Sequence, residues 1–130
     1  MPQGEYQAFS EIWRRTGLFY RADDVPACRT FAELWEAVKF RRLAEILPAT
    51  PQRALEVGCG SGGASLFLHD RYAYAVTLLD LSDEALALAR RNFRQNSTRP
   101  EAAAAFVKAD ACLLPFSSDA FDLVMSFGLL

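Results

Sequence analysis

The chain has 130 residues, of which 52% are hydrophobic and 23% charged, a composition that fits an ordinary globular protein with a real core to bury. Its formal net charge of −2 offers no general attraction to nucleic acid or to an anionic membrane surface. The opening Met1-Pro2-Gln3-Gly4-Glu5-Tyr6 lacks the basic start and apolar run of a signal peptide, and no uncharged apolar stretch approaches the roughly 18–20 residues of a membrane span, so the expected location is the cytosol.

Two segments of helical character come first. Tyr6, Phe9, Ile12 and Trp13 recur at helical spacing, as do Phe31, Leu34, Trp35, Val38, Leu43, Ile46 and Leu47. Asp23-Asp24-Val25-Pro26 between them reads as a loop. Thr30 is placed to cap the second helix, and Pro48 with Pro51 ends it. Residues 1–50 therefore form an N-terminal helical segment, whose apolar and aromatic stripe is expected to pack onto a sheet rather than line a pocket.

From Arg53 onward, within a second segment spanning 51–130, strands and helices alternate. The first strand is predicted over 53–58, followed by a glycine-rich turn and a helix over 61–71. A second apolar strand runs over 73–79 and ends at Asp80. Ser82 can then N-cap a helix that carries Asp83 and Glu84 in its first turn, where they complement the dipole, and Ala85, Leu86, Leu88, Ala89 and Phe93 on its apolar face. A loop over 96–101 leads to a third strand, 104–109, ending at Asp110. A fourth strand is predicted over 121–127. This alternation of apolar strands with helices implies an α/β fold with a mostly parallel sheet covered on both faces.

In such sheets ligands bind beyond the carboxyl ends of the strands. The glycine turn, Asp80, Asp110 and Phe127 all fall there. Ala54-Leu55-Glu56-Val57-Gly58-Cys59-Gly60-Ser61-Gly62-Gly63 is a buried strand running into a turn that presents backbone N–H groups and the positive end of a helix dipole. Asp80, 22 residues beyond Gly58, is placed to accept hydrogen bonds from a ribose hydroxyl pair, and Asp110 to accept from an exocyclic amino group of a base. Gly58, Gly60 and Gly63 satisfy G-x-G-x-x-G, so a dinucleotide of the NAD type is formally allowed. The anionic Glu56, however, is badly placed for a pyrophosphate and well placed for a cation. S-adenosyl-L-methionine carries a sulfonium and an ammonium and no phosphate, and the charge pattern favours it.

Cys28, Cys59 and Cys112 match no metal-ligand spacing, so no metal is expected. They read as reduced, partly buried thiols. The helix N-terminus beside Cys59 could in principle lower its thiol pKa, although no general base adjoins it in sequence. His69, the sole histidine, reads as a helix C-terminal residue helped by the dipole.

Residues 54–130 resemble the core of the class I S-adenosylmethionine-dependent methyltransferases. The family's E/D-x-G-x-G-x-G signature matches Glu56-Val57-Gly58-Cys59-Gly60-Ser61-Gly62; the ribose-binding acid matches Asp80 in Leu79-Asp80-Leu81-Ser82; the base-contacting acid matches Asp110 in Lys108-Ala109-Asp110-Ala111; and the fourth-strand motif matches Asp119-Ala120-Phe121-Asp122-Leu123-Val124-Met125-Ser126-Phe127. The resemblance implies a Rossmann-like sheet of strand order 3-2-1-4. It implies that Glu56 and Gly58 hold the methionine end of the cofactor, with Cys59, Gly60 and Gly62 letting the backbone pass close. Asp80 would bind the ribose with Leu81 against the adenine, Asp110 and the Ala111 N–H would read the base edge, and Ser126 and Phe127 would lie near the amino acid portion and the methyl group. Asp122 also matches a family position, with support of the sheet as an equal reading. The acceptor is expected to be a small molecule, and no catalytic residue is nominated.

The family's sheet normally has seven strands, and four are legible here. The expectation is therefore a cofactor-binding half-sheet whose turnover by itself is impaired. A non-catalytic cofactor-binding remnant and a nicotinamide-dependent oxidoreductase domain are the alternatives.

Overall fold

The computed structural model describes residues 30–99 and 103–127 together with Gly4, Gln7 and Glu11. The predicted apolar positions Tyr6, Phe9, Ile12 and Trp13, the loop at 23–26 and Cys28 lie outside the described residues.

Helix α1 spans Phe31–Ile46. Thr30 opens it with a capping box: its hydroxyl accepts from the Glu33 N–H at 3.2 Å, and the Glu33 carboxylate accepts from the Thr30 N–H at 3.1 Å, which satisfies two otherwise orphaned donors. The helix closes at Leu47, whose N–H reaches the Leu43 carbonyl, and Pro48 follows. Its buried face overlaps the predicted stripe only at Leu43, with Leu47 just beyond the helix packed against the core. Ala37, Phe40 and Leu43 are buried, whereas Phe31, Trp35 and Ile46 are exposed. The helix is anchored by one large contact, the Phe40 ring stacked on Phe67 at 5.0 Å, and the residues in phase with Phe40 therefore decide which side turns inward.

The strands are β1 (Arg53–Val57), β2 (Ala75–Asp80), β3 (Ala104–Lys108) and β4 (Leu123–Met125), joined by α2 (Gly63–Tyr72) and α3 (Asp83–Asn96). Every pairing is parallel and the order is β3-β2-β1-β4, the Rossmann-like arrangement expected. Four consecutive residues of β1, Ala54 to Val57, are buried, as a strand covered on both faces requires. On one face Phe67, Leu68, Leu86 and Phe93 from α2 and α3 meet Val76 and Leu78. On the other, Leu55, Val57 and Leu79 pack with Ala109, Ala111, Phe116 and Phe121.

Four elements shift their bounds, each for a local reason. The first strand ends at Val57 because Gly58 turns to φ 68°, and α2 begins at Gly63 because Gly62, at φ 72°, is its N-cap. Strand β2 starts at Ala75 rather than 73, since Ala73 adopts φ 58° as the C-cap of α2. The fourth strand is only Leu123–Met125: Phe121 turns into an edge-on contact with Phe116 at 5.0 Å, and Phe127 leaves the ladder.

His69 does lie in the last turn of α2, but it is a core residue, 2% exposed. Its Nδ1–H donates to the Tyr74 carbonyl at 3.1 Å, and its ring packs at 5.6 Å from Phe93. Asp122 is a sheet support. Its carboxylate accepts from the Arg53 N–H, Nε and guanidinium NH2 at 2.9, 3.1 and 3.0 Å, and its own N–H donates to the Arg53 carbonyl, tying the start of β4 to the start of β1. These hydrogen bonds hold the Asp122 carboxyl down at about 2. Its contribution to stability is therefore present above the ordinary carboxyl pKa and fades as pH falls toward 2. Asp122→Asn is expected to lower the melting temperature by a few degrees at pH 7 and progressively less in acid; thermal melts at pH 7 and pH 3 check this.

Candidate functional site

The sheet register brings the four strand ends to one edge. Val57 pairs with Leu79, Glu56 with Met125, and Asp80 with Lys108, so the Asp110 loop, the Asp80–Leu81 corner, the turn at Gly58 and Ser126–Phe127 succeed one another along it. The turn is tied to β2 by the Gly58 and Cys59 N–H groups, both donating to the Leu79 carbonyl at 2.8 and 3.0 Å. Asp80 closes it from below: its Oδ2 accepts from the Gly60 N–H at 3.0 Å and its Oδ1 from the Ser82 N–H at 2.9 Å. Both carboxylate oxygens are thereby oriented while retaining free lone-pair directions. Leu81 beside it is 36% exposed, a flat apolar wall at the mouth of the corner.

Glu56 is 4% exposed, and its Oε2 accepts from both the N–H (3.1 Å) and the hydroxyl of Ser65 in the first turn of α2. Burial pushes the carboxyl up to about 7, a rise that the Ser65 hydrogen bonds and the Lys39 charge only partly oppose. A carboxylate so desolvated is a poor structural element and a strong attractor for an arriving cation.

Asp110 is exposed, and its Oδ1 accepts from the Cys112 N–H at 2.8 Å, which folds the loop after β3 and leaves Ala111 half-buried against the second core. Ser126 and Phe127 are exposed at the end of β4. Cys59 is a backbone component of the turn, and its thiol points into the core. Burial, reinforced by the Glu56 and Asp80 charges, pushes that thiol well above its ordinary pKa, so the helix terminus does not make it reactive. Cys112 is exposed rather than partly buried. Among the described residues no cluster of His, Cys, Asp and Glu could hold a metal ion.

Three residues at this site carry no sequence motif. Ser65 holds Glu56. Asn92 of α3, fully buried, donates through Nδ2 to the Ser61 carbonyl at 3.0 Å and so braces the glycine turn from the neighbouring helix, with Asn96 donating to its Oδ1 at 2.8 Å. Asn92 had one legible signal, a polar residue in phase with the apolar face formed by Ala85, Leu88 and Ala89. Lys39 of α1 approaches the site from above, its Nζ 4.8 Å from the Phe127 ring centroid. The opposite edge of the sheet has a shallow depression lined by Arg53, Ala75, Thr77, Ala104 and Phe121; Arg53 there is ion-paired with Asp122, and Thr77 is the one other polar residue of the lining.

Residues 54–130 match the family model of the methyltransferase domain. Over 126 residues, 97% of this chain, the sequence is 34% identical to malonyl-[acyl-carrier protein] O-methyltransferase of Enterobacter lignolyticus, and over 98 residues, 75% of this chain, 37% identical to demethylmenaquinone methyltransferase of Clavibacter sepedonicus. The chain spans 43% and 36% of those two relatives. The solved S-adenosylmethionine-dependent methyltransferase from Mesorhizobium loti superposes with a TM-score of 0.56 at 32% identity, covering 69% of this chain and 39% of that one. The match of the family model to residues 54–130, more than half of the chain, shows that the chain belongs to the methyltransferase domain family.

Proposed function

We propose that the chain binds S-adenosyl-L-methionine and serves methyl transfer to a small-molecule acceptor. The observation that carries this reading is the buried Glu56 carboxylate beside the glycine turn, an anion where a dinucleotide site would need to accommodate phosphate. The residues fit the cofactor in parts. Glu56 suits the ammonium of the methionine end, the positive-φ glycines Gly58, Gly60 and Gly62 keep side chains out of its path, and Asp80, held from Gly60 and Ser82, presents acceptors to the ribose hydroxyls. Leu81 and the Asp110–Ala111 loop flank the place of the adenine, and Ser126 and Phe127 the place of the amino acid portion.

Bound S-adenosylmethionine supplies an electrophilic methyl group on its sulfonium. The contribution of this chain is to orient that ligand and shield it, the kind of positioning from which much of an enzyme's rate advantage comes. A small-molecule or carrier-bound acceptor is supported by the relatives named for malonyl-[acyl-carrier protein] and demethylmenaquinone. Residues 51–130 are the cofactor-binding part on this reading, and 1–50 an N-terminal helical segment. No helix among the described residues is long and apolar enough to cross a membrane, which supports a cytoplasmic setting.

The test is a thermal-shift and calorimetric titration with S-adenosylhomocysteine and with NAD. S-adenosylhomocysteine raises the melting temperature and NAD does not; the reverse result overturns the proposal in favour of an oxidoreductase. Asp80→Ala weakens S-adenosylhomocysteine roughly ten- to hundredfold, the loss of charge-assisted hydrogen bonds to two hydroxyls, while the circular dichroism spectrum is retained. Unchanged affinity in Asp80→Ala marks a site that does not hold a ribose.

A further inference from the structure

The side chains of Glu36 and Lys39 on α1 lie outside the stretch that the methyltransferase family model matches, yet they sit over its site. Lys39 Nζ lies 2.7 Å from a Glu36 oxygen, 4.8 Å from the Phe127 ring centroid and 5.4 Å from that of Phe40. Phe40 is stacked on Phe67 of α2, two residues beyond Ser65, which grips Glu56. The ammonium is therefore fixed by a buried aromatic anchor on the adjacent residue, and its charge is felt at Glu56. Lys39 is only 17% and Glu36 only 25% exposed. An i, i+3 pair on one helix contributes a few tenths of a kcal/mol at most, so holding a largely covered lysine there is not explained by stability.

What the patch does present is a cation and an anion at the end of β4: Lys39 lies over the Phe127 ring, and Glu56 pairs in register with Met125, two residues before Phe127. That is the complement of a zwitterion. We infer that Lys39 binds the α-carboxylate of the cofactor's amino acid portion, with Glu56 taking the ammonium and Glu36 positioning the lysine until the ligand arrives. Lys39 is thus a specificity-determining residue that separates nucleosides with an intact amino acid from those without one. The inference rests on the cofactor reading above and adds to it a residue from the N-terminal helix. A compact ammonium over an aromatic face is well suited to the task, because the carboxylate can displace Glu36 without the lysine moving far.

The experiment compares binding of S-adenosylhomocysteine and of 5′-methylthioadenosine, which has the same nucleoside and thioether but no amino acid, to the 130-residue chain and to Lys39→Met and Lys39→Arg, by calorimetry. Lys39→Met keeps the stem and removes the charge. It is expected to weaken S-adenosylhomocysteine at least tenfold, leave 5′-methylthioadenosine within twofold, and erase most of the preference between them, while Lys39→Arg retains that preference. Equal weakening of both ligands, or of neither, overturns the assignment while leaving the cofactor reading intact. Binding of neither ligand to the native chain overturns the cofactor reading and this inference with it.

Discussion

Replacing Glu56 with glutamine stabilises the ligand-free chain at pH 8 and weakens S-adenosylhomocysteine in the same variant. The folded carboxyl titrates at about 7 against 4.5 when unhindered. Between those values the unfolded chain releases a proton that the folded chain still holds, so stability falls as pH rises from 4.5 to about 7 and is level above it. At pH 8 the ionised group costs the fold up to about 3 kcal/mol. Glutamine keeps an oxygen for the Ser65 donors and removes that cost, less whatever its new amide N–H leaves unpaired. The gain is expected at about 1–3 kcal/mol at pH 8, shrinking to a few tenths at pH 4.5.

Binding moves the other way. An ammonium requires the carboxylate, so affinity of the native chain rises roughly eightfold between pH 6 and pH 7.5 as Glu56 ionises, whereas Glu56→Gln binds roughly ten- to hundredfold more weakly with a flat profile over that range. Denaturant melts and calorimetry across pH measure both arms. A variant no more stable than the native chain at pH 8, or one that keeps the pH-dependent affinity, rules out Glu56 as the titrating ligand group.

Gly62→Ala is the second large effect, and here the fold itself gives way. Gly62 caps α2 at φ 72°, a conformation that costs an L-residue about 1–2 kcal/mol. Its missing Cβ would stand 2.6 Å from Leu78 Cδ2 and 3.1 Å from Ala89 Cβ, inside the core between β2 and α3. Relief by shifting packed side chains adds about 1–3 kcal/mol. The sum, about 2–5 kcal/mol, lowers the melting temperature by roughly 7–18 °C, whereas Ser61→Ala, one residue earlier on the half-buried turn, stays within about 0.5 kcal/mol. A thermal melt separates the two. A Gly62→Ala chain as stable as the native one would mean that the turn relaxes freely, against the tight Gly62–Cys59 and Asn92–Ser61 hydrogen bonds that hold it.

The sequence by itself determined the alternation of strands and helices and the α/β class, and it favoured one cofactor chemistry, because those rest on local patterns. Thr30 and Ser82 cap their helices through atoms three residues away, and Gly58, Gly60 and Gly62 turn because only glycine adopts their backbone angles at no steric cost. The four strand ends were legible as candidates for one site, since a parallel sheet aligns them by rule. The rest was decided in three dimensions. Which side of α1 faces inward followed from the Phe40–Phe67 stack, a contact 27 positions apart that no periodicity in α1 encodes. Asp122 joins Arg53 across 69 positions, and Asn92 braces the turn at Ser61 from 31 residues downstream. The raised pKa of Glu56 is likewise a tertiary property: the residue type supplies the charge, but only the enclosing core and the Lys39 side chain above it set how readily that charge appears.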